Sequence, residues 1–260
     1  MNVTVRDTWD GLAEEWDEQA EDPTNYFSRR AAFVEQLVAR HVPPCTTLDF
    51  GCGPGNLSYA LAKRGFNVHG CDIAPKMVEK AVRRLSGLTK NAESRFKTTP
   101  GDTIPFDFSF DLITAIDVII YVPDYASFVQ MLSRSLKPEG YLALSCTNNI
   151  SFFTWLSIAR LMANPRANPH PITAIRNLAR TGIWSGGHVD PKTSRQISRA
   201  AAFDRLFIRS GFTKIADFDM IHYRRWDKAP LERRGLNRMI ARRFGWNHVG
   251  LYRKRPGTAS

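Results

Sequence analysis

The segment that most constrains this chain is Leu48-Asp49-Phe50-Gly51-Cys52-Gly53-Pro54-Gly55, followed by Asp72 at the end of the next apolar run. Residues 46–50 read as a buried strand, and three glycines at alternate positions make a turn where backbone can come close to a ligand. Residues 56–64 read as the helix that follows. An acid about 20 residues beyond such a turn is placed to accept hydrogen bonds from ribose hydroxyls. A strand, turn and helix in this order predict an α/β sheet that holds a nucleoside-bearing cofactor.

The details of the turn decide which cofactor. A dinucleotide site has glycines in the pattern G-x-G-x-x-G, whereas these run G-x-G-x-G with Asp49 two residues before the first. An acid beside that turn would repel a pyrophosphate and attract an ammonium or sulfonium group. The plain alternative is a tight turn that binds nothing, so the later motifs must decide. With Asp49, Gly51, Gly53 and Gly55 in the pattern acid-x-G-x-G-x-G, the chain resembles the class I S-adenosylmethionine-dependent methyltransferases at their first motif.

Three further stretches follow in the same order and spacing. Residues 66–72 read as a second strand ending in Asp72, with Ile73-Ala74-Pro75-Lys76-Met77 opening the next helix. By the resemblance Asp72 holds both ribose hydroxyls, Ile73 packs on the adenine, and Cys52 and Met77 belong to the same cofactor site. Gly101-Asp102-Thr103 resembles the segment at the adenine edge, where Asp102 would accept from the exocyclic amine. Residues 110–118 read as a buried fourth strand containing Asp117, and 135–144 as a helix end, a turn and a fifth strand. Glu139 stands in that turn where the family usually has glycine.

The resemblance covers residues 45–148 strongly and implies a Rossmann-like, doubly wound sheet of seven strands, mostly parallel with an antiparallel last strand. It divides the chain into N-terminal helices covering the cofactor (1–44), an S-adenosylmethionine-binding core (45–148), a helical cap inserted after strand five (149–192), and the rest of the sheet with a basic helix (193–260). Residues 9–17 resemble the family's aromatic and acidic opening helix, and 25–40 the helix over the cofactor, where Tyr26, Arg29 or Arg30 would reach its carboxylate. Surface charge is the alternative reading of both arginines. In the last part, 194–210 reads as a helix, and 212–221 and 248–253 as strands.

Length and composition agree with one sizeable α/β domain carrying additions, since the chain has 260 residues. The four cysteines, at 45, 52, 71 and 146, have no metal-ligand spacing, and read as small apolar fillers in a reducing compartment. No bound metal is expected. No secretion leader and no apolar run of about 20 residues is visible, so a cytoplasmic place is expected, with a peripheral one at a membrane as the variant.

Charge is uneven. Residues 1–50 hold 4 Lys+Arg against 10 Asp+Glu, and residues 221–260 hold 11 against 2, within a chain of net charge +11. Residues 232–244 read as a basic helix. A solvated face, a footprint for nucleic acid and a footprint for an anionic surface or acidic substrate all fit it. The segment 151–162 reads as a helix with Ser151, Thr154, Ser157 and Arg160 on one narrow side and apolar residues elsewhere, suited to packing on the core, to covering a lipophilic acceptor, or to a membrane interface.

Methyl transfer from a sulfonium requires donor and acceptor held in line in a site screened from water, and a base only where the acceptor must lose a proton. In the ubiquinone-pathway O-methyltransferases, which the chain resembles around residues 114–124, a Glu-His pair stands where Ile120-Tyr121 stands here. The usual base is therefore absent. The resemblance leaves Asp117 for the cofactor's methionine end, Tyr121 to orient the acceptor, and His188 as the best remaining candidate base, although a lone histidine in a turn is more often structural. The expected reaction is transfer of a methyl group to O or N of a small apolar or aromatic metabolite, leaving S-adenosylhomocysteine. The alternatives are a nucleic-acid-modifying enzyme anchored by the basic helix, or a partner protein that keeps the fold without catalysis.

Overall fold

The computed structural model describes residues 4–147, 200–220 and 247–257, with positions 159 and 163 besides. Thr4 opens the first helix through a capping box: its hydroxyl accepts from the Asp7 N–H while the Asp7 carboxylate accepts from the Thr4 N–H. The opening helix expected over 9–17 is in fact two, α1 (Val5–Gly11) and α2 (Ala13–Glu21), because the chain bends at Leu12 after Gly11. Asn25 caps α3 (Tyr26–His41), its side chain accepting from the Phe27 N–H at 2.9 Å.

The core then alternates strand and helix. It runs β1 (Thr46–Phe50), α4 (Asn56–Lys63), β2 (Asn67–Asp72), α5 (Pro75–Leu85), α6 (Ala92–Arg95), β3 (Phe96–Thr98) and β4 (Phe110–Ala115). A single 3-10 turn (Ile119–Tyr121) leads to α7 (Tyr125–Ser135), β5 (Leu136–Thr147), α8 (Ala200–Arg209), β6 (Phe212–Met220) and β7 (Asn247–Lys254). The described strands form one seven-stranded sheet in the order β3-β2-β1-β4-β5-β7-β6. β7 pairs antiparallel with both β5 and β6, and the other pairings are parallel. The fold is the Rossmann-like sheet expected from the motif order, with its antiparallel last strand.

Alternation along the strands splits the core between the two faces. Leu112, Ala143, Val249 and Leu251 pack with Val34, Val38 and Leu61 of α3 and α4 on one side. Leu48, Ile113, Leu142, Leu144 and Tyr252 pack with Leu132 of α7 and Phe203 and Phe207 of α8 on the other. Beside this second core is a buried ionic cluster: His248 lies 2.7 Å from Asp219 and 3.3 Å from Asp204, Tyr252 donates to Asp204 at 2.7 Å, and Lys214 pairs with Asp204 at 2.5 Å and with Asp217.

Two strand boundaries differ from expectation by more than a residue. β4 stops at Ala115 rather than 118, because Asp117 takes φ 59°, outside the β region. β5 begins at Leu136, so the expected turn lies inside the strand as an irregularity: the register against β4 shifts between the pairs Phe110↔Leu136 and Leu112↔Tyr141, with Glu139 between them at φ 60°. The expected cap helices over 151–162, apart from position 159, and 172–180, the basic helix over 232–244 and the candidate base His188 lie outside the described residues.

Candidate active site

Strand order reverses between β1 and β4, and such a switch point leaves a crevice outside the carboxyl ends of the strands. A cavity of about 900 Å³ opens there, between the glycine turn, the end of β2, the segment after β4 and the N-terminal helices. Its floor is the turn after β1. Gly53 has φ 52° and open space where a Cβ would stand, and its N–H donates to Asp72 Oδ2 at 2.8 Å. Asp72 also accepts from the Ala74 N–H at 3.0 Å, and burial pushes its pKa up to about 6 against those two hydrogen bonds. Asp49 lies beneath the turn, accepting from Ser58 Oγ at 2.6 Å and Thr114 Oγ1 at 2.7 Å. Burial raises its pKa too, with the two hydroxyls opposing.

A polar knot closes the far end. The Asp117 N–H donates to Ser145 Oγ at 2.7 Å, and the Ser145 hydroxyl returns a bond to Asp117 Oδ1 at 2.8 Å. Asn247 Nδ2 donates to the same oxygen at 2.7 Å, while Arg30 pairs with Asp117 Oδ2. The Arg30 guanidinium lies 5.2 Å from the Phe27 ring centroid and 5.7 Å from that of Tyr26. A carboxylate holding three donors orients its neighbours. Burial raises the phenol pKa of both Tyr26 and Tyr121, so each stays protonated at neutral pH and Tyr121 offers the cavity a donor.

The wall between floor and knot is aromatic. Trp9 meets Trp16 edge-on with centroids 5.0 Å apart and Tyr121 at 5.8 Å, and Trp16 lies 4.1 Å from Phe27. Both tryptophans pack against Ala13, Ala74 and Met77. Acids of the N-terminal helices hold this wall on α5. Asp17, buried, is 2.6 Å from Arg84 and 3.7 Å from Lys80 and also pairs with Arg83, Glu14 is 2.5 Å from Lys80, and the Lys76 N–H donates to Asp10 at 3.0 Å.

Residues 48–142 match the family described as a methyltransferase domain. The ubiquinone biosynthesis O-methyltransferase of Xanthomonas oryzae pv. oryzae is 34% identical over 131 residues, covering 47% of this chain and 53% of that protein. That of Pseudomonas aeruginosa is 37% identical over 108 residues, 39% of this chain and 44% of that protein. Over that stretch the chain is similar to methyltransferase domains. It spans about half the length of the curated relatives it matches. The methyltransferase fold extends further than the sequence match. A possible histamine N-methyltransferase from Thermotoga maritima superposes with a TM-score of 0.61 at 18% identity, over 95% of this chain and 99% of that one. The magnesium protoporphyrin IX methyltransferase of Synechocystis, solved with bound SAH, does so at 0.59 and 18% identity, over 96% and 97%.

Within the matched stretch, Asp49, Gly51, Cys52 and Gly53 line the cavity, as do Asp72, Ile73 and Met77 from the end of β2 and the start of α5. Asp102 stands exposed at its rim, and Tyr26, Asp117 and Tyr121 belong to the far end. Gly55, Thr103 and Arg29 do not line it. Gly55, at φ 86°, serves packing instead: a Cβ there would sit 3.0 Å from Ala81 Cα, so it lets α4 close on α5. Thr103 is exposed, and its carbonyl accepts from the Thr99 hydroxyl at 2.5 Å. Arg30 faces the cavity rather than Arg29 because one residue turns a helix by about 100°. Trp9, Trp16, Ser145 and Asn247 were not expected in the site. The tryptophans had a signal in their acidic helix, whereas Asn247 had none.

Proposed function

We propose that this chain transfers the methyl group of S-adenosylmethionine to O or N of a small apolar or aromatic acceptor. The observation that carries the reading is a single cavity whose floor is a glycine turn set among acids, and whose wall is aromatic. The residues present fit this cofactor. Gly53 leaves space above the turn, Asp72 ends β2 at the floor, and Asn56 Oδ1 and Asn247 Oδ1 are buried acceptors without partners among the described residues, suited to a ligand rich in N–H and O–H groups. Asp49, Asp72 and Asp117 make the same cavity hostile to a pyrophosphate.

Bound there, the cofactor would supply an electrophilic methyl on a sulfonium. Asp72 would hold the ribose hydroxyls, Ile73 would lie against the adenine, Asp102 would accept from its amine, and Arg30 would take the carboxylate. Trp9, Trp16 and Tyr121 would bound the acceptor side, excluding water and holding a flat or apolar molecule in line. Burial keeps the Tyr121 phenol protonated, so Tyr121 would face the acceptor as a hydrogen-bond donor. Titration calorimetry with S-adenosylhomocysteine and with NAD tests the reading. Binding of the first in preference to the second is expected, and no binding of S-adenosylhomocysteine would sink it. Radiolabelled methyl transfer to pooled phenols, amines and lipids would then identify the acceptor class.

A further inference from the structure

Asn247 is the first residue of β7, in register with Thr147 at the end of β5. Because β7 runs antiparallel, its beginning emerges where the parallel strands end, and Asn247 reaches the cavity from 130 residues beyond Asp117 in sequence. It is only 2% exposed. Its amide is oriented by its neighbour: a carboxylate accepts and cannot donate, so Nδ2 must face Asp117 Oδ1, which it does at 2.7 Å. The carbonyl oxygen is thereby turned away from Asp117, buried, and without a hydrogen-bond partner among the described residues. A buried amide oxygen left without a donor is unfavourable, so its persistence points to a donor that a ligand brings.

The surroundings define that donor. Asp117 supplies negative charge beside Asn247, and Arg30 supplies positive charge on the other carboxylate oxygen. A cation, an anion and an orphaned acceptor grouped at one end of a cavity complement a zwitterion. We propose that Asn247 is a cofactor-binding residue whose Oδ1 accepts a hydrogen bond from the α-ammonium of the amino-acid end of S-adenosylmethionine. The inference rests on the methyltransferase reading above. It assigns to the last strand of the sheet a direct part in the cofactor site, so that formation of β7 completes that site.

The test compares two ligands on two proteins by titration calorimetry: S-adenosylhomocysteine and its analogue lacking the amino group, on the full chain and on its Asn247→Leu variant. The variant is expected to lose roughly tenfold to a hundredfold in affinity for S-adenosylhomocysteine, the range for a hydrogen bond to a charged group, and to bind the desamino analogue about as the unaltered chain does. A merely structural role for Asn247 would weaken both ligands equally, and that result, or no loss for either, overturns the proposal. If the leucine variant fails to fold, Asn247→Ser shortens the side chain without apolar bulk and carries the same comparison. Failure of the underlying reading is separate: then neither S-adenosylhomocysteine nor 5′-methylthioadenosine, which lacks the amino-acid end, binds the unaltered chain, and the Asn247 proposal falls with it.

Discussion

Asp72 carries two backbone hydrogen bonds and still has a pKa raised to about 6, because burial outweighs them. Ribose hydroxyls need its ionised form, so the affinity for S-adenosylhomocysteine is expected to be level above pH 7 and to weaken as pH falls through 6. Calorimetry across that range measures it, and a flat profile would remove Asp72 from the ribose site. Asp72→Ala should weaken binding by about 1.5 to 3 kcal/mol, the worth of hydrogen bonds to a charged group. Glu139 makes the reverse case, a residue whose side chain matters less than its backbone. At φ 60° a non-glycine residue is strained by roughly 1 to 2 kcal/mol. Its pairing with Arg253, at 3.3 Å on the surface, returns little. Glu139→Gly should therefore raise stability by up to about 1 kcal/mol once the added freedom of the unfolded chain is subtracted, read as a higher urea midpoint. The departure from glycine at this position was visible in sequence; that the backbone keeps the glycine conformation anyway was not.

At the scale of elements, the decisive contact is the one between α2 and α5. Asp17 is a buried anion facing Lys80, Arg83 and Arg84, and those contacts hold Trp9 and Trp16 over the cavity. Removing one partner of a buried ionic cluster is far more damaging than losing a surface pair. Asp17→Ala should cost about 2 to 4 kcal/mol by chemical denaturation and should also weaken cofactor affinity, whereas Glu15→Ala on the same helix should disturb stability little. Equal effects of the two would show that the clasp carries no special weight. The elements of the core were legible because their signals are local: β1, α4 and β2 fall within a residue or two of the spans read from apolar runs and glycine punctuation. Where a single backbone conformation ends an element, as Asp117 does for β4 and Leu12 does between α1 and α2, periodicity overran the boundary.

For the whole molecule, the buried cluster joining α8, β6 and β7 should leave a pH signature. His248 loses ionised character to burial, but the carboxylates of Asp204 and Asp219 outweigh this and hold its pKa above 6.5. Its stabilising contribution is therefore full below about pH 6.5 and is lost as pH rises through the folded-state value. Asp204 has the opposite sense. Burial would raise it, yet bonds from His248, Lys214 and Tyr252 hold it well below 3.8, so its contribution is present above pH 3.8 and disappears only in strong acid. The stability advantage of the unaltered chain over His248→Gln, measured by urea unfolding, should be largest near pH 6 and shrink toward pH 9; a constant difference would mean that His248 is neutral throughout. By itself the sequence determined the strand-turn-helix motif, the acids at Asp49, Asp72 and Asp117, and through their order the family resemblance and the sheet, since each depends on hydrogen bonding and periodicity among near neighbours. Tertiary structure alone decided that Arg30 rather than Arg29 faces the cavity, and that Trp9, Trp16 and Asn247 line it with Arg30. Their meeting depends on how α1 and α2 close on α5 and on where an antiparallel strand begins, and side-chain contacts across such distances leave no periodic trace in the chain.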